Sequence, residues 1–128
     1  MKEVILFIWQ LPQNILGLLV IIFSRAWKAV TYETVWWTKR RFGVSLGNYI
    51  ILYEDSKPLT QSVKHEKGHQ KQSLYLGWLY LIIIGIPSAF GNLWDRVAHK
   101  NWKLEEREKW YYSQPWEAWA DKLGGVRR

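Results

Sequence analysis

The sequence contains no cysteine, so disulfide bonds, thiolate metal sites and cysteine nucleophiles are excluded. Histidine is also scarce, with three residues in 128, and the 11 Asp and Glu are outnumbered by 18 Lys and Arg. There is no internal repeat and no low-complexity tract, and the length is that of one domain at most. Any metal site in this chain must therefore use imidazole or carboxylate ligands.

Tryptophan, in contrast, is abundant. The chain has 10 Trp, 16% aromatic residues and a net charge of +7. Tryptophan favours boundaries between apolar and wet surroundings, including the membrane surface, and positive charge suits anionic lipid or nucleic acid. The aromatic residues stand mostly beside apolar residues rather than between Lys and Arg, so we expect the lipid bilayer as a partner and no nucleic acid.

Two apolar stretches predict membrane association. Val4 to Phe23 is uncharged and has about the length of a spanning helix, and no small-residue cleavage site follows it. Leu74 to Trp94 is the second stretch. Both are interrupted by polar residues, glycine or proline: Gln10, Pro12, Gln13 and Asn14 in the first, and Gly77, Gly85 and Pro87 in the second. The alternative is that both are buried core helices of a small globule.

The remaining sequence predicts a single α+β domain over residues 1–128, mainly α. Residues 34–54 are rich in β-branched and aromatic residues and contain the turn signal Gly47-Asn48, which predicts a β-hairpin or small sheet. Residues 55–58 predict a turn, with Asp55 or Ser56 capping a helix from about Pro58 to Leu76.

The C-terminal third predicts mainly polar helix. Residues 95–112 are charged and predict a helix or loop. A further helix follows, with Ser113 as its N-cap, Pro115 in its first turn and Gly124 at its end.

The principal motif is H-E-x-x-H at residues 65–69, within the predicted helix. His65 and His69 are four residues apart, so both imidazoles lie on one helix face and can bind one Zn²⁺. Glu66 is rotated by about 100° and can reach a water molecule on the metal, whose proton it accepts during attack on a carbonyl. The alternative is a solvated polar helix face, since several neighbours are Lys or Gln.

A third metal ligand must come from elsewhere in the chain, and the candidates are His99 and Glu117. Glu117 and Asp121 lie four residues apart in "WEAWAD". This E-x-x-x-D resembles the second motif of the gluzincin, or thermolysin-like, zinc metallopeptidases. The resemblance implies a minimal zincin-like core in which Glu117 completes the zinc site and Asp121 accepts a hydrogen bond from His65, which orients that histidine.

A looser resemblance covers more of the chain. It is similar to small uncharacterised bacterial membrane-associated proteins with an "HEYGH…QS…LGPLYL…GIPS" core and a "TERWANRLGG" end. The counterparts here are "HEKGHQKQSLYLGWLYLIIIGIPS" and "WEAWADKLGG", in which Lys67 replaces an aromatic residue and Trp78 replaces a proline. The resemblance implies a bacterial inner-membrane location and names no substrate.

The metal site constrains the membrane topology. If 74–94 crossed the bilayer, Glu117 would lie on the opposite side from His65 and His69. We therefore expect a re-entrant hairpin that turns near Gly85-Pro87 within one leaflet, or an N-terminal span plus an interfacial hairpin. Basic residues favour the cytoplasmic face or the interface: Arg25, Lys28, Lys39, Arg40 and Arg41.

Two further roles follow from the zincin resemblance. Tyr49 to Tyr53 would be the edge strand that pairs with a peptide substrate, or else an ordinary sheet strand. Tyr111 or Tyr112, with Tyr112 preferred, would stabilise the oxyanion as a hydrogen-bond donor. The expected function is that of a zinc-dependent membrane peptidase. The alternatives are an amidase, an enzyme of lipid-linked substrates, or an inactive membrane interaction protein that retains the core.

Overall fold

The structure, a computed structural model, describes residues 1–28, 35–55 and 59–128. Six α-helices and four strands lie in these ranges, and the predicted α+β, mainly helical class is confirmed. The helices are α1 (Lys2–Trp9), α2 (Leu11–Ser24), α3 (Leu59–Leu76), α4 (Ile86–Ala98), α5 (Leu104–Ser113) and α6 (Pro115–Gly124). A 3₁₀ turn (Gly77–Leu79) and a π-helical turn (Leu81–Gly85) connect α3 to α4.

The strands are β1 (Trp27–Lys28), β2 (Val35–Thr38), β3 (Gly43–Leu46) and β4 (Tyr49–Tyr53), in the sheet order β1-β2-β4-β3. The predicted hairpin is β3–β4, closed by Gly47 at φ +64° and Asn48. The prediction that Tyr49–Tyr53 is an edge strand is wrong, because β4 pairs with β2 on one side and β3 on the other. Among the described strands, β3 is the edge beside α3.

A small apolar core joins the sheet to α3. Its members are Val35 and Trp37 of β2, Ile50 and Leu52 of β4, and Val63 of α3. β4 is buried along its centre because the parallel β2 and the antiparallel β3 flank it. This core fixes the first turns of α3 against the sheet.

Close packing of α3 against α6 depends on two glycines. A β-carbon on Gly68 would overlap the carbonyl oxygen of Ala120, and one on Gly124 would overlap the carbonyl oxygen of Lys64. Only glycine permits such backbone contact. The two helices that carry the sequence motifs are therefore in direct backbone contact at Gly68 and Gly124.

Helix α2 has its polar side chains inside and its apolar ones outside. Gln13 and Asn14 are fully buried, and Gln13 donates to Ser73 Oγ at 2.8 Å and to the carbonyl oxygen of Gly77 at 2.8 Å. The exposed side chains of α2 are large and apolar: Ile15, Leu16, Leu18, Leu19, Ile22 and Phe23. This is the reverse of the pattern of a helix on a water-soluble core.

Helix α4 repeats this inverted pattern. Ser88, Asn92 and Arg96 follow one another at intervals of four residues along the face towards α3 and α5, where they line a cavity. The opposite face carries exposed Phe90, Leu93 and Val97, of which Phe90 is 66% exposed, and Ile86 at the start of the helix is both exposed and at the rim of the cavity.

Within the described ranges, no single helix has both the length and the apolar character needed to cross a bilayer. Each of two bent helix pairs, taken as one segment, does have that length and composition. Lys2–Trp9 and Leu11–Ser24 meet at 84°, and Gln61–Leu79 and Leu81–Ala98 meet at 119°. Pro12 lies in the first turn of α2, because a helix continuing from α1 would need the N–H that proline lacks.

The second bend was predicted at the wrong place. It lies at Tyr80, not at Gly85-Pro87, because Gly77 leaves α3 with φ +55° and the Tyr80 hydroxyl is anchored to the carbonyl oxygen of Ser45 at 3.0 Å. Pro87 lies in the first turn of α4, where its missing N–H is not needed.

Helix ends agree with the predictions in part. Helix α3 ends at Leu76 and α6 at Gly124, with Gly125 in the left-handed conformation. Ser113 is not the N-cap of α6: it is the last residue of α5, its hydroxyl donates to the carbonyl oxygen of Trp110, and Gln114 occupies the N-cap position. Residues 34 and 56–58, including the predicted cap Ser56, lie outside the described residues.

Candidate metal centre

Three side chains from two helices converge at one point. His65 Nε2 lies 2.9 Å from Glu117 Oε2, and His69 Nε2 lies 3.0 Å from the same oxygen. One ligand atom from each of the three side chains lies within 4.8 Å of the others, and all three residues are buried. Two imidazoles and one carboxylate form a donor set that catalytic zinc sites use.

His65 has a carboxylate oxygen at each ring nitrogen. Its Nδ1 lies 2.7 Å from Asp121 Oδ1, and its Nε2 faces Glu117. Burial lowers the pKa of His65, but the hydrogen bonds with Asp121 and Glu117 outweigh it and raise the pKa to about 9. Both nitrogens therefore carry a proton in the absence of a cation, and a cation held by Nε2 takes the place of one of these protons.

The orientation of His69 is set by Gln72, which sequence reasoning missed. Gln72 donates from Nε2 to the carbonyl oxygen of Trp116 at 2.9 Å, so its Oε1 faces His69 Nδ1 at 2.7 Å. Nδ1 of His69 must therefore be the protonated donor, and Nε2 is the nitrogen available to a metal ion. The only signal in the sequence was the spacing of three residues on one helix, which many unrelated pairs share.

Glu117 is fixed through both oxygens. Ser88 and Tyr111 donate to Oε1, the latter at 3.0 Å, while Oε2 faces the two histidines. Burial raises the pKa of Glu117, but the hydrogen bonds with His65 and His69 outweigh it and hold that pKa far below its usual range. Glu117 is therefore an anion, as a metal ligand must be. The role of Ser88 could not be predicted from its spacing to any motif.

Glu66 lies beside this cluster with an unused oxygen. The side chain is buried, and its Oε2 has no hydrogen-bond partner in the part of the chain that the structure describes. Burial raises the pKa of Glu66 above its usual range, although His69 and His65 oppose the shift. An unpartnered buried carboxylate next to three candidate ligands fits a metal site that also holds a water molecule, because a base there needs a free lone pair and a raised pKa.

The two tyrosines differ in their contacts. The hydroxyl of Tyr111 donates to Glu117, whereas the ring of Tyr112 lies edge-on to His65 at 5.0 Å between centroids. Arg128 lies over the Tyr112 ring at 3.3 Å and donates to both oxygens of Asp121. Burial raises the pKa of Tyr112 to about 12, so its hydroxyl stays protonated and can donate to a substrate.

His99, the other candidate for third ligand, belongs to a separate cluster. Its Nδ1 lies 3.0 Å from Asp95 Oδ1, and its ring stacks on Trp102 at 3.7 Å between centroids. Arg107 donates to the second oxygen of Asp95. This cluster holds α4 against α5. The sequence-predicted His65, Glu66, His69, Glu117 and Asp121 lie together, and His99 is not among them.

Comparison of the chain with models of protein families, with curated proteins and with solved structures found no match. The site geometry alone therefore carries the functional argument below.

Replacing Asp121 by asparagine is expected to lower metal affinity by about 10–100-fold, because the amide is a weaker partner for His65 Nδ1–H than the carboxylate. Zinc affinity measured by competition with a chromophoric chelator tests this. The matched control is Lys122→Gln on the exposed face of the same helix. Equal affinity of Asp121→Asn and the wild type would show that Asp121 does not support a metal-binding histidine.

Proposed function

We propose that this protein is a membrane-associated zinc-dependent metallohydrolase, acting as a peptidase from a minimal zincin-like core. The observation that carries the proposal is the convergence of His65, His69 and Glu117 beside Glu66, whose Oε2 has no hydrogen-bond partner among the described residues. The elements agree with such a core: α3 carries the histidines, α6 carries Glu117 and Asp121, and β3 is the sheet edge nearest to Glu66.

The roles of the residues follow from their contacts. His65, His69 and Glu117 would hold a zinc ion, which would supply a Lewis acid to polarise the scissile carbonyl and acidify a water molecule. Glu66 accepts the proton of the attacking water and passes it to the leaving nitrogen. Tyr112, protonated and edge-on to His65, donates to the developing oxyanion. Asp121 and Gln72 keep the two imidazoles oriented.

Zinc content tests the metal site. The purified wild type is expected to hold one zinc per chain, and His65→Ala is expected to lose it, because the two remaining ligands cannot retain the ion. The matched control is His99→Gln, which removes a histidine outside the cluster and should keep the metal. A metal-free wild type, or loss of metal in the His99 variant, would overturn the assignment and favour a membrane interaction protein.

The proposed membrane placement rests on the inverted helices α2 and α4. The exposed faces of these helices are apolar, whereas the inward face of α2 carries Gln13 and Asn14 and the cavity face of α4 carries Ser88, Asn92 and Arg96. A bilayer leaflet provides the apolar surroundings that these faces require, and the net charge of +7 suits anionic lipid, as on a cytoplasmic face. Two bent helix pairs fit a protein that enters one leaflet and leaves by the same side.

Phe90→Ser is expected to weaken binding to anionic lipid vesicles by about tenfold or more, because burial of a phenylalanine side chain contributes roughly 1.5–3 kcal/mol. Partitioning of detergent-diluted protein into sedimented vesicles measures the effect. Asn101→Ser, at an exposed polar position just beyond α4, serves as the control. Extraction of the wild type into aqueous buffer as a monomer without detergent would contradict the membrane placement.

A further inference from the structure

The candidate metal centre opens into a cavity of about 800 Å³ between α3, α4, α5 and β3. The lining residues of α3 are, in chain order, Gln61, Ser62, His65, Glu66 and His69, and Leu81 lines the cavity beyond the end of this helix. The two candidate histidine ligands therefore lie partway along the lining, between Gln61 and Leu81.

One end of the cavity is apolar and reaches the outer apolar surface. Leu16 and Val20 of α2 line it together with Leu81 and Ile86. Leu16 and Ile86 are also exposed on the surface that we propose to face lipid, and Ile86 is 63% exposed. A chain segment lying in the leaflet can thus enter the cavity without passing through water.

The other end is charged. Asn92 and Arg96 follow Ser88 along α4, which places the backbone of Arg96 about 12 Å from that of Ser88 at 1.5 Å per residue. Glu108 and Arg128 line the same end. Arg128 is engaged by Asp121 and Tyr112, whereas Arg96 forms no ion pair within 4 Å in the part of the chain that the structure describes. Arg96 is therefore the positive charge available to a bound molecule.

The edge strand β3 gives the cavity a direction. Gly43 lies beside Glu66, and Leu46 lies beside Gly17 of α2, so β3 runs from the middle of the cavity to its apolar end. Antiparallel pairing is the more stable arrangement of two strands. The carbonyl oxygen of Ser45 already accepts from the Tyr80 hydroxyl, so the peptide pairs with β3 at Gly43, beside Glu66. Paired there in the antiparallel sense, it has its N-terminal part at the apolar end and its C-terminal part towards Arg96.

We propose that the substrate is a membrane-anchored polypeptide with apolar residues on the N-terminal side of the scissile bond and an acidic residue on its C-terminal side, bound by Arg96. This rests on the proposed hydrolase function and adds the substrate class. At about 3.3 Å per extended residue, and allowing for the length of the arginine side chain, the acidic residue lies about two to four residues beyond the scissile bond.

Binding of two matched peptides tests the proposal. Each has six apolar residues followed by four polar ones, blocked ends and an N-terminal fluorophore, and they differ only by Asp or Asn at the third polar position. Fluorescence anisotropy with zinc-loaded Glu66→Gln protein in detergent micelles gives their affinities without cleavage. The Asp peptide is expected to bind about fivefold more tightly at low salt. Arg96→Gln should abolish this difference and leave the Asn peptide unaffected.

The control variant is Lys100→Gln, which makes the same charge change at an exposed position just past the end of α4, outside the cavity. Equal affinities of the two peptides for the parent protein, or an equal effect of the Lys100 and Arg96 variants, would overturn the proposal. Equal binding of the peptides together with Arg96-dependent binding of lysophosphatidic acid would overturn it in favour of a lipid substrate.

Measuring both binding and cleavage of the two peptides tests the Arg96 proposal and the hydrolase function independently. Wild-type protein that cleaves the Asp and Asn peptides with equal kcat/KM would be a hydrolase without acid recognition, which overturns the proposal on Arg96 alone. Arg96-dependent preference in binding, with no cleavage of either peptide by zinc-loaded wild type, would support the assignment of the cavity and count against the hydrolase.

Discussion

Replacing Glu66 by glutamine is expected to leave the fold and zinc content unchanged and to lower peptide hydrolysis by about 10²–10⁴-fold. Glutamine has nearly the same size and fits the same position on α3. It cannot accept a proton from the attacking water, because an amide is not a base near neutral pH. The Oε2 atom of Glu66 has no partner in the described structure, so the substitution breaks no hydrogen bond of that atom.

The measurement is kcat/KM for a peptide that the wild type cleaves, with zinc content determined on the same samples. Glu105→Gln, at an exposed position in the first turn of α5, is the matched control and should have wild-type activity. A Glu66→Gln enzyme with full zinc occupancy and the wild-type rate would refute the mechanism, since no base would then be required at this position.

The second large effect is expected from Gly68→Ala. The added methyl group would overlap the carbonyl oxygen of Ala120, and this backbone atom cannot move unless α6 shifts away from α3. Overpacking of a core costs about 1–3 kcal/mol where side chains can adjust, so we expect a loss at or above the upper end of that range. Glu117 lies on α6, so zinc affinity should also fall.

The matched control is Gly91→Ala on α4. A β-carbon there would meet only Trp116, at 4.0 Å, which is ordinary van der Waals contact. Alanine is the better helix former by about 1 kcal/mol, so this variant should be as stable as the wild type or more so. Chemical denaturation in micelles compares the variants. If Gly68→Ala kept both wild-type stability and zinc affinity, the close helix contact would not be what holds the site together.

The sequence predicted those site residues whose relative positions are fixed within a single helix. His65 and His69 share a face because they are four residues apart, and the same spacing relates Glu117 to Asp121. Residue spacing within each helix could not predict that α3 and α6 pack against each other. It was suggested by resemblance to gluzincins, and the physical condition for it, glycine at positions 68 and 124, becomes clear only when the Ala120 and Lys64 carbonyls are seen.

Apart from the local error at the Ser113 cap, the errors concern contacts between segments that are distant in the chain. The β4 strand was taken for an edge from the zincin resemblance, and the sequence of 34–54 does not reveal its parallel partner β2. The bend was placed at Gly85-Pro87 because proline breaks helices, yet the anchor is the contact of Tyr80 with Ser45. Gln72 and Ser88 acquire their roles only from Trp116 and Glu117, more than 25 residues away along the chain.

Because the candidate ligands are far apart along the chain, the two histidines are synthesised well before Glu117. His69 and Glu117 are 48 residues apart, and the second apolar segment lies between them. At ~5–20 residues per second, a ribosome needs about 2–10 s to pass from one to the other. During that interval the nascent chain carries the histidines without their carboxylate partner. Both apolar segments are synthesised before Glu117, so the proposed metal centre can be completed only on a chain that already contains the whole of its proposed lipid-facing surface.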